Sequence, residues 1–272
     1  MGAQLSLLAV FAHPDDESFG VGGTLAKYAA EGVDVSLVVA TSGEAGEIAD
    51  TSLAYPSDLG QLRRQELQCA ADTLGVKQLR LLGYADGQLA QANPTEVERK
   101  LVAIIRELRP QVVITFDPAG TYGHPDHIAI HRCTLTAWQV AGDPDQHVEQ
   151  IRSWPAYAPP KLYFRATPAH VFRLLADRFS AIRSGLGLEQ IDVSAIVTPD
   201  ELVTTVIDVS SVADVKRRAI ECHRSQLAGG RLGDTWPAEL RNELLSREYF
   251  SLFGKRLQPG EPLETDLFSG LR

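Results

Sequence analysis

The chain has 272 residues, 44% hydrophobic and 22% charged, with a formal net charge of -9. That length suffices for one large core, or for one domain with an appendage, and the composition is ordinary for a globular protein. An acidic chain with no basic face speaks against a nucleic-acid partner. No run is apolar and long enough to span a bilayer and none has the make-up of a secretion signal, so a cytoplasmic location is expected.

Leu5–Phe11 is an apolar run that predicts the first strand, and Gly20–Ala30 predicts a helix stopped near Gly32. Val33–Ala40 follows as a strand buried on both faces, because nearly every residue is apolar. Thr41–Leu59 is too long for a mere connection and is a candidate substrate rim. Gln61–Leu74 has helical spacing with Gly75 as its stop, and Gln78–Leu82 is a short strand. Thr95, with Glu98 three residues on, predicts a capping box for a helix to Leu108, and Val112–Phe116 is the next strand. A helix opens at Asp126 or His127 and runs to about Val140. Further on, 143–160 reads as a loop on the active-site side, Lys161–Arg165 as a strand and Ala169–Arg183 as a helix. Thr204–Asp208 is a late strand, Ser211–Gln226 a serine-capped helix, and 227–248 surface loop with helical pieces.

This alternation predicts an α/β fold: a Rossmann-like, doubly wound, mostly parallel sheet with helices on both faces and a C-terminal extension. The whole of 1–272 is expected to be one domain, its core about 1–142 with 204–227, and 143–203 a variable segment. Three cysteines match no zinc spacing and cannot all pair internally; Cys69 and Cys133 read as small core residues, and Cys222-His223 as a poor catalytic pair. Neither a coiled-coil pattern nor an apolar stripe decides whether the chain forms a homo-oligomer.

Two turns carry the chemistry. Ala12-His13-Pro14-Asp15-Asp16-Glu17 follows the first strand, and Gly123-His124-Pro125-Asp126-His127 follows the Val112–Phe116 strand. In an open α/β sheet, ligands sit beyond the carboxyl ends of strands. One His-Pro-Asp is usually a surface turn with an Asp-capped helix; two at strand ends point to one metal site built from His13, Asp16 and His127. Three protein ligands with an open fourth position is the pattern of a catalytic zinc. Asp15 is placed to act as general base toward a metal-activated water, unless it only caps the next helix. His124 shares the cavity, and Asp126 would hold it cationic so that it stabilises an oxyanion or protonates a leaving amine. His124 in place of His127 as the third ligand is the less favoured alternative. Gly20-Val21-Gly22-Gly23 invites a dinucleotide reading, but position 25 is Leu and the neighbouring carboxylates would repel a pyrophosphate. Close packing of a helix on the sheet explains these glycines better.

With these residues in hand, the chain resembles the PIG-L/LmbE-like family of zinc-dependent N-acetylglucosaminyl deacetylases. Both His-Pro-Asp motifs match, as do Thr41–Glu47, Arg63 with Glu66, Leu74-Gly75-Val76, Asp86 with Leu89, Asp117-Pro118, Tyr122, and Lys216 with His223–Gln226. The resemblance implies zinc on His13, Asp16 and His127, with Asp15 as base and His124 as electrostatic stabiliser or acid. It also implies that Arg63, Asp86 and Tyr122 touch the sugar or the tetrahedral intermediate. Read from the residues alone, Arg63 could pair with Glu66 on a helix surface, Asp86 could serve the 83–87 turn, and Tyr122 could be a packing aromatic. His223 is left out of the site. The expected reaction is hydrolysis of an N-acetyl group on an N-acetylglucosamine-type sugar derivative, and within the family small sugars joined to inositol or malate are attractive candidates. Amidase action on a thiol conjugate or deacetylation of a chitooligosaccharide is also open. A phosphoesterase would want more bridging carboxylates and a second metal, and a nucleotide module would show tight NAD binding without hydrolysis. Fe(II), Co(II) or Mn(II) suits the same ligand set.

Overall fold

Leu8, Ala9, Val10 and Phe11 have no solvent exposure, which requires protein on both faces of the strand they form and a neighbour on each edge. In the computed structural model, which describes residues 4–49, 56–174, 197–227 and 238–272, that strand is β1 (Ser6–Phe11). It lies parallel between β2 (Asp34–Thr41) and β4 (Val112–Thr115), with Leu7 opposite Val35 on one side and Val112 on the other. β3 (Gln78–Tyr84) extends the parallel sheet beyond β2, and β5 (Lys161–Arg165) extends it beyond β4. The seven-stranded order is β3-β2-β1-β4-β5-β7-β6. Between β1 and β4 the winding direction reverses, and that crevice is where a doubly wound sheet accepts ligands.

Helices α1 (Asp16–Ala30), α2 (Leu59–Leu74) and α5 (Ala213–Cys222) pack together, while α3 (Pro94–Leu108) packs on α4 (Pro125–Val140). The sheet is therefore mixed but mostly parallel, as the alternation predicts. The C-terminal edge differs from expectation. β6 (Thr205–Asp208) does not follow β5 in parallel; β7 (Arg247–Leu252) inserts between them and is antiparallel to both. β7 directly follows α6 (Ala238–Ser246), and only Glu248 and Phe250 of it are buried, so its charged sequence reads as surface.

Other boundaries move for local reasons. α1 starts at Asp16, four residues before the expected start, which draws Asp16 and Glu17 into its first turn. The α3 cap is Asn93, whose side chain accepts from Thr95 N–H at 3.0 Å ahead of Pro94, while Glu98 turns to His147 at 2.9 Å. α5 starts at Ala213 with no side-chain cap, because Ser210 is engaged by Asp208 instead. Residues 169–174 are helical as expected, and the remainder of the 169–183 helix lies outside the described residues, as does 228–237. The cysteine expectation is corrected. Cys69, exposed on α2, forms a disulfide with Cys222 at the end of α5, across 153 residues; Cys133 is free and buried. At Gly23 an added Cβ would lie 2.6 Å from Val209, so a helix–loop approach this close requires glycine.

Candidate metal and active site

The first turn is fixed by carboxylates folding back on their own backbone. Asp16 accepts the His13 N–H at 2.7 Å, and Glu17 accepts the Asp15 N–H at 3.0 Å. Asp15 stands at the helix N-cap with φ 109°, a value non-glycine residues rarely adopt, and its side chain makes no capping bond. The carboxylate is held by Arg63 Nη2 at 3.1 Å instead, so the simple capping role is not what it does. Arg63 is almost fully buried on α2. Its guanidinium also donates to the carbonyls of Pro14 and, at 2.9 Å, Gly43. Gly43 has φ 68°, and a Cβ there would lie 2.4 Å from the guanidinium carbon, so the loop after β2 and Asp15 are locked through one buried cation.

The second turn is fixed from within. Asp117 accepts the N–H groups of Ala119 and Thr121 at 2.8 and 3.0 Å. The Gly120 carbonyl then receives His127 Nδ1–H at 3.1 Å, which leaves Nε2 as the free lone pair. Phe116 stacks on the His127 ring with centroids 4.0 Å apart, and Tyr122 meets that ring edge-on at 5.2 Å. His124 caps α4: its Nδ1 accepts the Asp126 N–H at 3.1 Å.

The topology brings His13, Asp16 and His127 together. His13 Nδ1 and His127 Nε2 face each other at 3.1 Å, and the Asp16 oxygens lie 3.6 and 3.4 Å from them. Tetrahedral zinc with bonds of 2.0–2.2 Å would set its ligand atoms roughly 3.3 Å apart. These donors therefore fit a divalent cation. His124 belongs to the same imidazole cluster with His13 and His127, and Asp86 and Asp126 gather on the other side of His13. His13 Nε2 lies 3.0 Å from Asp86 and 3.5 Å from Asp126, as close ion-pair contacts more than aligned hydrogen bonds. That is how an outer carboxylate fixes a ligand imidazole and leaves the opposite nitrogen for metal.

The electrostatics follow from this crowding. Burial disfavours the His13 cation, yet Asp126, Asp16 and Asp86 together raise its pKa well above the usual value. Burial drives His127 down to about 3, so it is a neutral donor. Burial would raise Asp16, but His127 and His13 hold it well below the carboxylate range. Asp15 is pushed up to about 6 by burial and by Asp16 and Glu17, against Arg63 and His223. Burial, with Asp16 and Asp15, keeps the Tyr122 phenol protonated.

Two expected roles change. Asp126 does not hold His124 cationic: its carboxylate accepts the N–H groups of Gly87 at 2.8 Å and Leu89 at 3.0 Å and faces His13, while burial and the His13 charge lower the His124 pKa. An Nδ1 that accepts a hydrogen bond marks a neutral ring. Arg63 and Asp86, expected to touch the sugar or the tetrahedral intermediate, each have protein partners in the site, Asp86 also accepting the Ala45 N–H at 2.9 Å. Glu66 does not pair with Arg63; it accepts the Ser225 N–H and hydroxyl at 2.7 and 2.6 Å. Three further groups lie outside the expected site. Glu17 and His223 form a fully buried pair at 2.8 Å behind Asp15, and Arg165 reaches the second turn from β5. His223 had a signal in the matching His-Arg-Ser-Gln segment, whereas Arg165 sits in the segment that matched nothing.

The comparisons with known proteins identify the family. Residues 8–138 match the family model described as PIG-L, GlcNAc-PI de-N-acetylase. The 1D-myo-inositol 2-acetamido-2-deoxy-alpha-D-glucopyranoside deacetylase of Streptomyces avermitilis is 37% identical, with 97% of both chains covered. Its counterpart from Thermobifida fusca is 38% identical over 97% of this chain and 98% of that one. The N,N'-diacetylchitobiose deacetylase from Pyrococcus horikoshii shares the fold, with a TM-score of 0.66 at 22% identity over 92% of this chain and 84% of that one. With full-length relatives at this identity and both His-Pro-Asp turns converging on one cluster of metal donors, the chain belongs to the PIG-L family of de-N-acetylases.

Proposed function

We propose that the protein hydrolyses the N-acetyl group of an N-acetylglucosamine unit linked to inositol, releasing acetate and the free amine. The observation that carries this reading is the pair of imidazole nitrogens facing each other at 3.1 Å, each with its opposite nitrogen engaged, beside the Asp16 carboxylate. These nitrogen and oxygen donors are close enough together to take a divalent cation between them. His13, Asp16 and His127 would hold zinc, or another divalent metal, which would supply Lewis acidity and a water of lowered pKa. The inositol-linked sugar is favoured because the two full-length relatives above are named for it.

In this reading Asp15 is the general base. Its value of about 6 suits a group that takes a proton from the attacking water near neutrality and returns it to the departing nitrogen. Arg63 fixes the carboxylate without neutralising it by proton transfer. His124, neutral with Nδ1 occupied by the Asp126 N–H, presents Nε2–H to the developing oxyanion, and the protonated Tyr122 phenol is a second donor. Asp86 and Asp126 orient His13. The loop 42–49, held to the site by Arg63, Asp86 and Ser225, is our candidate for sugar contacts.

The test is acetate release from a panel of N-acetylglucosamine derivatives by metal-reconstituted protein beside Asp15→Asn. The variant should keep its metal and lose about 10²–10⁴-fold in turnover. Near-normal turnover would remove Asp15 from the role, and release only from chitooligosaccharides would replace the inositol-linked substrate.

A further inference from the structure

Thr121 has φ 67° and ψ -54°, a conformation that a β-branched residue avoids. Those angles are close to the centre of a γ-turn, a strained geometry that persists only where the surroundings over-determine it. Two side chains do so. Asp117 accepts the Thr121 N–H, and Arg165 Nη1 donates to Thr121 Oγ1 at 2.9 Å. Arg165 ends β5, which pairs with β4 up to Thr115 opposite Phe164, so the sheet itself delivers it to the carboxyl edge. Its stem lies across Gly20 of α1, where a Cβ would approach Cδ to 3.1 Å. The side chain is thereby stretched from one strand, over a helix, to the loop that follows the neighbouring strand.

The residues on either side of Thr121 are the ones that matter to the site. Gly120 receives His127 Nδ1–H, and the Tyr122 ring lies 5.2 Å from the His127 ring and 6.0 Å from that of His124. Burial lowers the Arg165 pKa, and the nearby carboxylates of Asp117, Asp16 and Glu248 offset part of it.

We propose that Arg165 is a positioning residue, clamping Thr121 in its strained turn so that Tyr122 is aimed at the reacting centre. The kinetic part of this inference rests on the deacetylase reading; its structural part does not. The first readout is fluorine NMR of protein labelled with 3-fluorotyrosine, where Tyr122, one of seven tyrosines, is assigned by its loss in Tyr122→Phe. Arg165→Ala and Thr121→Val should each shift or broaden the Tyr122 resonance and leave the others unchanged. Thr121→Val replaces the hydroxyl by a methyl of similar size and so removes the acceptor for Arg165, which decides the matter even where Arg165→Ala does not fold. An unmoved Tyr122 resonance in Thr121→Val overturns the proposal. The second readout is kinetic. Arg165→Ala should lower kcat by about ten- to a hundredfold at nearly constant KM, and the loss should largely vanish when Tyr122 is already Phe. Losses that multiply in the double variant overturn it. A wild-type protein that releases no acetate defeats the deacetylase reading, and the fluorine spectra then decide this proposal alone.

Discussion

The two His-Pro-Asp turns look alike in sequence and are held in opposite ways. The first adds distant braces to its own Asp16 and Glu17 backbone contacts: His13 faces Asp86 and Asp126, and Asp15 is held by Arg63, so its geometry depends also on β3, α2 and α4. The second is braced mainly from close by: Asp117 holds Thr121, and Gly120 holds His127, within eleven residues of chain, with Arg165 and the 87–90 backbone on Asp126 coming from afar. Side-chain bracing leaves the first turn open to charge and orientation changes at remote positions. Backbone bracing makes the second resistant to remote changes and vulnerable to a change in its own strained residues.

The sharpest way to test this contrast is metal content. His127→Ala should lose bound metal and with it essentially all turnover, while His124→Ala should keep metal and lose only the oxyanion contribution, about 10²–10³-fold. The opposite metal contents would exchange their roles. Asp126→Asn tests remote bracing. It keeps the shape, weakens the contact to His13 and disturbs the acceptor for the 87–90 backbone, so metal affinity should fall 10–100-fold with the ligands intact. Unchanged affinity in an isothermal titration would show that the first turn needs no outer carboxylate.

The convergence of His13, Asp16 and His127 was legible because each lies within a few residues of a strand end, and the α/β alternation says where strand ends meet. Partners were not. Whether Asp126 serves His124 or His13 depends on which way a side chain leaves the first turn of α4, and helical spacing carries no information on that. Arg63 at helical spacing from Glu66 suggested a surface pair, whereas both are buried and each turns to a different loop. β7 was missed because a strand lying between two antiparallel neighbours at the C-terminal edge buries only alternate residues, and its Arg and Glu read as solvent-facing.

The disulfide extends remote bracing to covalent chemistry. Cys69 and Cys222 join α2, which carries Arg63 and Glu66, to the end of α5, next to His223 and Ser225. Closing a loop of 153 residues limits the unfolded chain by up to about 5 kcal/mol, and measured bridges commonly give 2–4. Reduction should therefore lower Tm by on the order of 5–10 °C, and Cys69→Ser/Cys222→Ser should melt with the reduced protein. Equal Tm with and without dithiothreitol, with both thiols titrating as free, would remove the bridge from the account.

The smallest expected effect is a pH dependence, and it too separates the two turns. Burial would lower the His223 pKa, but the Glu17 carboxylate at 2.8 Å and the nearby Asp15 raise it above 6.5. A raised folded-state value favours the protonated form, so this stabilisation is fully present below the unfolded value near 6.5. It is lost as pH rises through the folded value, by about 1.4 kcal/mol per unit of displacement. Asp15, raised from 3.8 to about 6, acts with the same sign in a lower window, between those two values. Wild-type Tm should decline across the range above pH 6.5 more steeply than that of His223→Gln, and across pH 4–6 more steeply than that of Asp15→Asn. Both groups brace the first turn. If His223→Gln melts with the same slope as wild type above pH 6.5, the Glu17–His223 pair is neutral, and the first turn is held by Arg63 and the outer carboxylates alone.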